Sequence, residues 1–464
     1  MKRATPIPFI LLTVVAVLAL CPAFYPKPQP APAGDAIVAG DVAWMLTASA
    51  LVLLMTPGLS FFYGGMVGFK NVVSTMLQSV VALGVISILW VMVGFSLAFG
   101  DDVKGLGLIG NPFTYMFLDG VGEATSSKLP MTIPLIVFAM FQLKFAIITP
   151  ALITGSFAER VRFSGYLLFM VLFSLFIYAP LAHMTWHPEG LFMKWGVLDF
   201  AGGTVVHMSA GWAALAGAML LGRRKSHVAR EEHTPANVPF VLLGTGMLWF
   251  GWFGFNAGSA LAANGTAAMA FATTNTASAA AMLGWMFFDW MMGKKPSALG
   301  ACIGAVVGLV AITPAAGFVT VRESIMIGLA ASVISNIAVH LRTKSTLDDT
   351  LDVFPCHGVG GMVGMIATAL FASQAKGGLF HGGGIELIKN HMIAMVIVSV
   401  YAFVGSIVLY KVTDMIIRLR VTDEQEITGL DLSQHGETAL GADLFGTPSN
   451  GVYEHAGELV GSGV

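Results

Sequence analysis

Two histidines, His207 and His357, lie inside apolar stretches with few other ionisable groups: DFAGGTVVHMSAGWAALAGAML and DVFPCHGVGGMVGMIATALF. Imidazole titrates near neutrality, with a reference pKa of about 6.5, so each ring can accept, donate or relay a proton. Each histidine follows an aspartate (Asp199, Asp352) among crowded glycines. An ionisable side chain at membrane depth is costly and faces a bundle interior or a cavity, which makes it a candidate functional group. One such histidine in each half of the chain points to a path between two related halves. Two imidazoles in contact leave one nitrogen a donor and another an acceptor, while burial disfavours charge on either. That pair suits a small molecule that both donates and accepts hydrogen bonds, as ammonia does. Metal ligation needs about four ligands, or three and a water. No third ligand stands near either histidine, so neither a metal nor a cofactor is expected.

Aromatic residues gather in segments that could line the same path. Phe145 closes the run FQLKF, Trp186 follows a long apolar stretch, and Trp252, Phe255 and Ser259 share the segment WFGFNAGSA. Aromatic faces attract cations by about 0.5–2 kcal/mol, enough to recruit a cation at a mouth. They cannot offset the far larger cost of burying a bare cation in hydrocarbon. Most of the 32 phenylalanines are packing or interfacial residues.

The elements that must position these residues are membrane helices. The 464 residues are 56% hydrophobic and 11% charged, with mean hydropathy +0.78, whereas soluble domains carry about 25% charged residues. A bilayer crossing takes about 20 apolar residues. Windows of that kind fall near 42–64, 73–99, 130–155, 163–184, 199–222, 238–260, 267–292, 297–318, 323–341, 355–374 and 391–417. The expected fold is therefore an all-α polytopic membrane protein with eleven spans. One set of loops, holding Arg160, Arg162, Arg223, Arg224, Arg342 and Arg418 among others, is about twice as basic as the other set. That places the N-terminus outside and the C-terminus in the cytoplasm. A net charge of −2 offers no basic surface for nucleic acid. The three cysteines (Cys21, Cys302, Cys356) have no paired spacing, so no disulfide framework is indicated.

The chain divides into residues 1–33, with the features of a signal peptide, a transmembrane domain over 34–420, and a cytoplasmic tail over 421–464. The echo of IITPA at 147–151 in AITPA at 311–315, in the same order as the two histidine segments, suggests five-helix repeats inserted with opposite orientation, plus a final long helix. Most of the 54 glycines let helices approach closely. Lys144, directly before Phe145, costs about 2.5–3.5 kcal/mol at bilayer centre. One residue turns a helix by about 100°, so Lys144 points away from whatever Phe145 faces, toward a helix or subunit contact.

The stretches DFAGGTVVHMSAG, AERVRFS, AHMTW, GWFGFNAGSA, DVFPCHGVGG and GLDLSQHGE, from about Ala43 to Thr438, resemble the ammonium transporter branch of the Amt/Rh family. That resemblance implies an eleven-helix protomer with inverted repeats, a homotrimer with one pore per subunit, and ammonium or ammonia as cargo. It implies an outer recruitment site at Trp186, Ser259 and Phe145 with Asp199 nearby, and a gate of Phe145 and Phe255. The twin pore histidines would be His207 and His357, with Trp252 and Thr313 beside the path. It further implies a location in the plasma or inner membrane and a cytoplasmic face on which a PII-type signalling protein can dock. An ammonium sensor signalling through its tail and an Rh-like gas channel are the alternatives. An enzyme is not expected, since no H-E-x-x-H, P-loop or G-x-S-x-G motif occurs.

Overall fold

In a computed structural model of the chain, residues 13–17, 36–129 and 131–439 are described. Most of the expected signal peptide, and the tail from residue 440 onward, lie outside the described residues. Among those described, the chain is helical, without strands and with two isolated bridges, Asp102–Gly110 and Val161–Arg420.

A helical stretch falls in every expected window. These are α1 (Ala39–Met66), α2 (Phe69–Phe99), α3 (Leu135–Ser156), α4 (Phe163–Lys194), α5 (Gly203–Leu221), α6 (Val238–Gly258), α7 (Gly265–Met291), α8 (Ala298–Ile312), α9 (Val321–Lys344), α10 (Phe354–Phe371) and α11 (Glu386–Ile416). Nine of them are long and apolar enough to cross a membrane. α8 has only 15 residues, and α7, though 27 residues long, is diluted by Thr273, Thr274, Asn275, Thr276 and Ser278.

Glycine sets how closely these helices approach. A Cβ on Gly244 would lie 2.3 Å from the Phe62 nitrogen, one on Gly251 2.6 Å from the Leu51 carbonyl, and one on Gly254 2.6 Å from the Ala48 carbonyl. α1 and α6 therefore touch backbone to backbone, the small-residue packing that replaces the hydrophobic effect in lipid. Gly308 of α8 and Gly328 of α9 both press on the Ala277 carbonyl of α7, with Cβ approaches of 2.5 and 2.3 Å.

α3 is the central rod. Along it only Ile136, Met140 and Lys144, four residues apart, are partly exposed, and every other residue is buried. Phe141 and Phe145 thus face inward while Lys144 faces out, as the rotation per residue requires. No hydrogen bond or ion pair engages Lys144 among the described residues, so the partner expected for it is not found within this protomer. Lys144→Met should leave ammonium-driven transport unchanged and raise the melting temperature in detergent, because the costly amine goes and no contact is lost. A fall in transport would place the amine in the conduction path.

At the end of the bundle that carries the tail, a buried polar network ties four loops together. Arg224 bonds Asp348 at 2.9 Å and Glu159 at 2.7 Å. Arg160, fully buried, donates to the Ser156 and Asp348 carbonyls and to Thr350. Burial pulls the Arg160 guanidinium down to about 10. Burial would raise Asp348, but the Arg224 hydrogen bonds and the Arg160 charge outweigh it and hold the carboxyl below the usual range. The described part of the tail is docked rather than solvated. Its helix α12 (Asp423–Thr428) places Glu426 on Arg420 and on the Lys225 N–H, and Asp431 accepts the N–H groups of Val73 and Ser74.

Candidate functional site: an aromatic gate above two paired histidines

Six side chains stack on one another through the bundle. Trp186 of α4 meets Phe145 of α3 edge-on at 5.8 Å. Phe145 lies against Phe255 of α6 at 4.1 Å with the rings tilted by 32°. Phe255 is 6.1 Å from His207 of α5. His207 stacks at 5.4 Å on Trp252 on one side and on His357 of α10 on the other. Phe145 and Phe255 are 1% and 0% exposed, so both rings are fully buried between Trp186 and His207.

The histidines approach through Nδ1 atoms 3.3 Å apart, one ring donating and the other accepting. The Nε2 of His207 is buried and has no partner. An unpaired buried nitrogen of this kind is rare unless something transient uses it. His207 and His357 line a cavity with Met55, Leu59, Ile148 and Leu152, closed above by Phe255. About 10 Å³ is open there to the centre of a water-sized sphere, roughly the room one water needs. Apart from the two imidazoles and the Trp252 indole, every lining side chain is apolar.

Local sequence explains the placement. Each histidine sits in a π-helical turn, Gly203–Met208 for His207 and Phe354–Val359 for His357. Such turns are rare and cluster at functional sites. Two glycine contacts join the helices: a Cβ on Gly211 would lie 2.2 Å from the Gly358 nitrogen, and one on Gly361 3.1 Å from the Gly203 carbonyl. The pairing 211 with 358 and 203 with 361 makes α5 and α10 cross antiparallel. Only glycine permits that approach, and the approach brings the rings into contact.

The aspartate before each histidine caps its helix. Asp199 accepts the N–H groups of Gly202, Gly203 and Thr204 and the Thr204 hydroxyl, which satisfies both carboxylate oxygens. Its backbone carbonyl accepts the Trp186 indole N–H at 3.1 Å, so one residue fixes Trp186 and the helix bearing His207. The matching residue in the other half is Asp349 rather than the expected Asp352. Asp349 accepts from Val353 at 3.1 Å and Phe354 at 2.8 Å and, like Asp199, stands eight positions before its histidine. Equal spacing was the available signal, and proximity to His357 obscured it. Asp352 instead adopts a left-handed backbone (φ 56°) and pairs with Arg342 at 2.7 Å.

Burial raises the Asp352 carboxyl to about 7, against the opposing pull of Arg342 and with help from Asp349. A carboxyl whose folded value exceeds its unfolded 3.8 stabilises the fold fully below that value and loses this contribution as pH rises toward 7. Asp352→Asn cannot ionise and keeps a residue tolerant of positive φ. Relative to the parent, its melting temperature should rise between pH 5 and pH 8. A constant or opposite difference would contradict the assignment.

The remaining expected residues hold supporting positions. Ser259 ends α6 one turn past Phe255, and its hydroxyl donates to the Phe255 carbonyl at 2.8 Å, leaving the oxygen lone pairs free. Thr313 receives the Trp252 indole N–H at 2.9 Å and itself donates to the Leu309 carbonyl, so it orients the tryptophan from behind. The apolar cavity walls from α1 and α3 went unrecognised, since nothing separates Met55 or Leu152 from ordinary packing residues. Among the described residues no cluster of His, Cys, Asp or Glu could hold a metal ion.

This architecture is shared. The chain is 46% identical to the ammonium transporter of Bacillus subtilis (strain 168) over 406 residues, 86% of this chain and 98% of that one. It is 44% identical to ammonium transporter Amt1 of Archaeoglobus fulgidus over 407 residues, 86% of this chain and 99% of that one. The crystal structure of Candida albicans Mep2 superposes with a TM-score of 0.78 at 33% identity, covering 84% of this chain and 88% of that one. A structure titled Sensor Amt Protein superposes equally well, 0.78 at 29% identity, covering 85% and 98%. The profile of the Ammonium Transporter Family spans residues 43–440, and the chain belongs to that family of multi-pass membrane transport proteins.

Proposed function

We propose that each protomer conducts ammonium across the membrane by passing a proton from it to the paired imidazoles, which relay that proton while ammonia crosses, and that the 3.3 Å pairing of His207 with His357 beneath two buried phenyl rings carries this reading. Ammonium is recruited at the mouth by the faces of Trp186 and Phe145 and by the free lone pairs of the Ser259 oxygen. Asp199 acts from behind: its carboxylate is fully engaged by backbone donors, and it holds Trp186 and the start of α5 in register. Past the gate the apolar walls admit a neutral molecule. A bare ion in hydrocarbon costs far more than an aromatic contact returns. Potassium, similar in size and charge, cannot shed its charge, so the dry cavity selects against it. Ammonia both donates and accepts hydrogen bonds, and the unpaired His207 Nε2 is a complementary partner.

The same reading gives eleven spans from two inverted five-helix repeats and a final helix, with residues 1–33 a signal peptide, the N-terminus outside and the tail of 421–464 in the cytoplasm. Protomers assemble as a homotrimer in the plasma or inner membrane, and the tail-bearing face is open to a PII-type protein. The eight-residue spacing from Asp199 to His207 and from Asp349 to His357, each pair in a capped π turn, supports the repeat. A sensing role is the second reading, favoured by the likeness to Sensor Amt Protein.

The test is purified protein in liposomes facing an ammonium gradient. The expected result is an ammonium-driven current or internal pH change, with uptake of labelled methylammonium. Vesicles silent in all three measurements would remove the transport claim and leave sensing.

A further inference from the structure

The exposed face of α11 marks where lipid lies. Val396, Val400, Val404 and Val408 recur every four residues and are 51–60% exposed, and Met415 and Ile416 continue the apolar face at 79% and 66%. A valine stripe of this kind on a membrane helix faces acyl chains. At its tail-side end the chemistry changes within one turn: Lys411 and Arg418 are exposed, and both line a cavity of ≈740 Å³ with Arg162, Arg420, Leu220 and Met415.

The cavity has a built wall. After α11 the chain turns back along the α3–α4 loop, with the Arg162 N–H donating to the Leu419 carbonyl at 2.6 Å and the Val421 N–H donating to the Arg160 carbonyl at 3.1 Å. The tail-side ends of α5 and α11 enclose the rest, and Met415, on the same apolar face of α11 as the valines, is part of the lining.

Its charges do not balance internally. Arg420 is committed to the Leu221 and Arg223 carbonyls and to Glu426. Asp423 is held by Lys225 at 2.7 Å, and one oxygen of Asp414 accepts the Leu419 N–H. Among the described residues no hydrogen bond or ion pair engages the side chain of Lys411 or Arg418, and the Nε of Arg162 is buried with no partner. Three cations therefore converge on one cavity, opposed by one partly used carboxylate. A buried guanidinium nitrogen without an acceptor is a costly arrangement unless an anion completes it.

We propose that this cavity binds the phosphate of an anionic phospholipid, with Lys411, Arg418 and Arg162 on the phosphate oxygens and the acyl chains along the valine face of α11. Basic pockets between membrane helices hold anionic headgroups in this way, and each lysine or arginine near the surface adds about 1 kcal/mol. The apolar floor of Leu220 and Met415, continuous with the valine stripe, fits a lipid better than a free phosphate. Because the wall is the connection from α11 to α12, an occupied site also braces the tail against the α3–α4 loop.

The experiment uses the full-length protein, stripped of lipid in detergent and titrated with phosphatidylglycerol, phosphatidylcholine and inorganic phosphate in parallel, with bound lipid counted by native mass spectrometry. We expect phosphatidylglycerol to bind preferentially. The double variant Lys411→Gln/Arg418→Gln should lose one tight phosphatidylglycerol per chain, weakening that step by about 10- to 30-fold, while Lys411→Arg retains it. Both variant positions are exposed and outside the conduction path, so ammonium-driven transport in phosphatidylcholine vesicles checks that the double variant is folded. Equal phosphatidylglycerol binding by parent and double variant would overturn the proposal, as would equal affinity for phosphatidylcholine. Inorganic phosphate binding as tightly as the lipid would also overturn it, showing a soluble anion site instead.

Discussion

His207→Ala or His357→Ala should cut ammonium-driven current in liposomes by about a hundredfold or more, the lower range of what a positioned proton-transfer group contributes. The expectation follows from the geometry. Each ring supplies half of the Nδ1–Nδ1 contact, and the two imidazoles with Trp252 are the polar side chains of an otherwise apolar cavity. Removing either leaves the other nitrogen unpaired in a dry site and opens space that the surrounding helices fill incompletely. The effect should fall on translocation rather than on recruitment, because Trp186 and Ser259 stand on the far side of the proposed Phe145–Phe255 gate. Concentration dependence separates the two: the maximal current collapses while the half-saturating ammonium concentration moves little. A variant with unchanged current would refute the proposed role, provided its melting temperature matches the parent.

The second large effect is expected from a residue with no chemistry of its own. Gly211→Val places a branched side chain where even a Cβ would sit 2.2 Å from the Gly358 nitrogen. Backbone, not a flexible side chain, is what it meets, so α5 and α10 must separate. Overpacking a tight interior costs about 1–3 kcal/mol, often more where backbone has to move. His207 lies one turn from Gly211, and His357 adjoins Gly358, so the separation breaks the imidazole pair directly. We expect loss of transport comparable to His207→Ala, together with a lower melting temperature. Gly246→Ala is the matched control, since nothing lies within 4 Å of its added Cβ. Normal transport by Gly211→Val would show that the close crossing is not what sets the histidine geometry.

How far these features could be read from sequence depends on the kind of signal each left. Long apolar runs gave most helices to within about six residues, because the bilayer fixes both length and composition, while α4 runs to Lys194, well past its expected end at 184. α7 and α8 carry the weaker signal: they pack on each other and on α9 through Ala277 and Ala281, and a helix shielded by neighbours can be short or polar. His207 and His357 stood out because ionisable groups are rare at that depth. Their contact, across 150 positions of chain, needed the glycine crossing, which no local pattern announces. Asp199 was expected to support recognition and local structure together, and its carboxylate accepts the N–H groups that open α5. Its true counterpart, Asp349, was passed over for the nearer Asp352, because proximity in sequence says little about which N–H groups a carboxylate can reach. The cavity walls were illegible for a simpler reason: Met55, Leu59, Ile148 and Leu152 have the same composition as residues that merely fill space.

The phenyl pair at 4.1 Å and the one-molecule void beneath it have an electrical consequence. On the proposed path a hydrated ion would meet two rings that are 1% and 0% exposed, an apolar barrier that favours neutral cargo and would hold back the membrane's ion gradients.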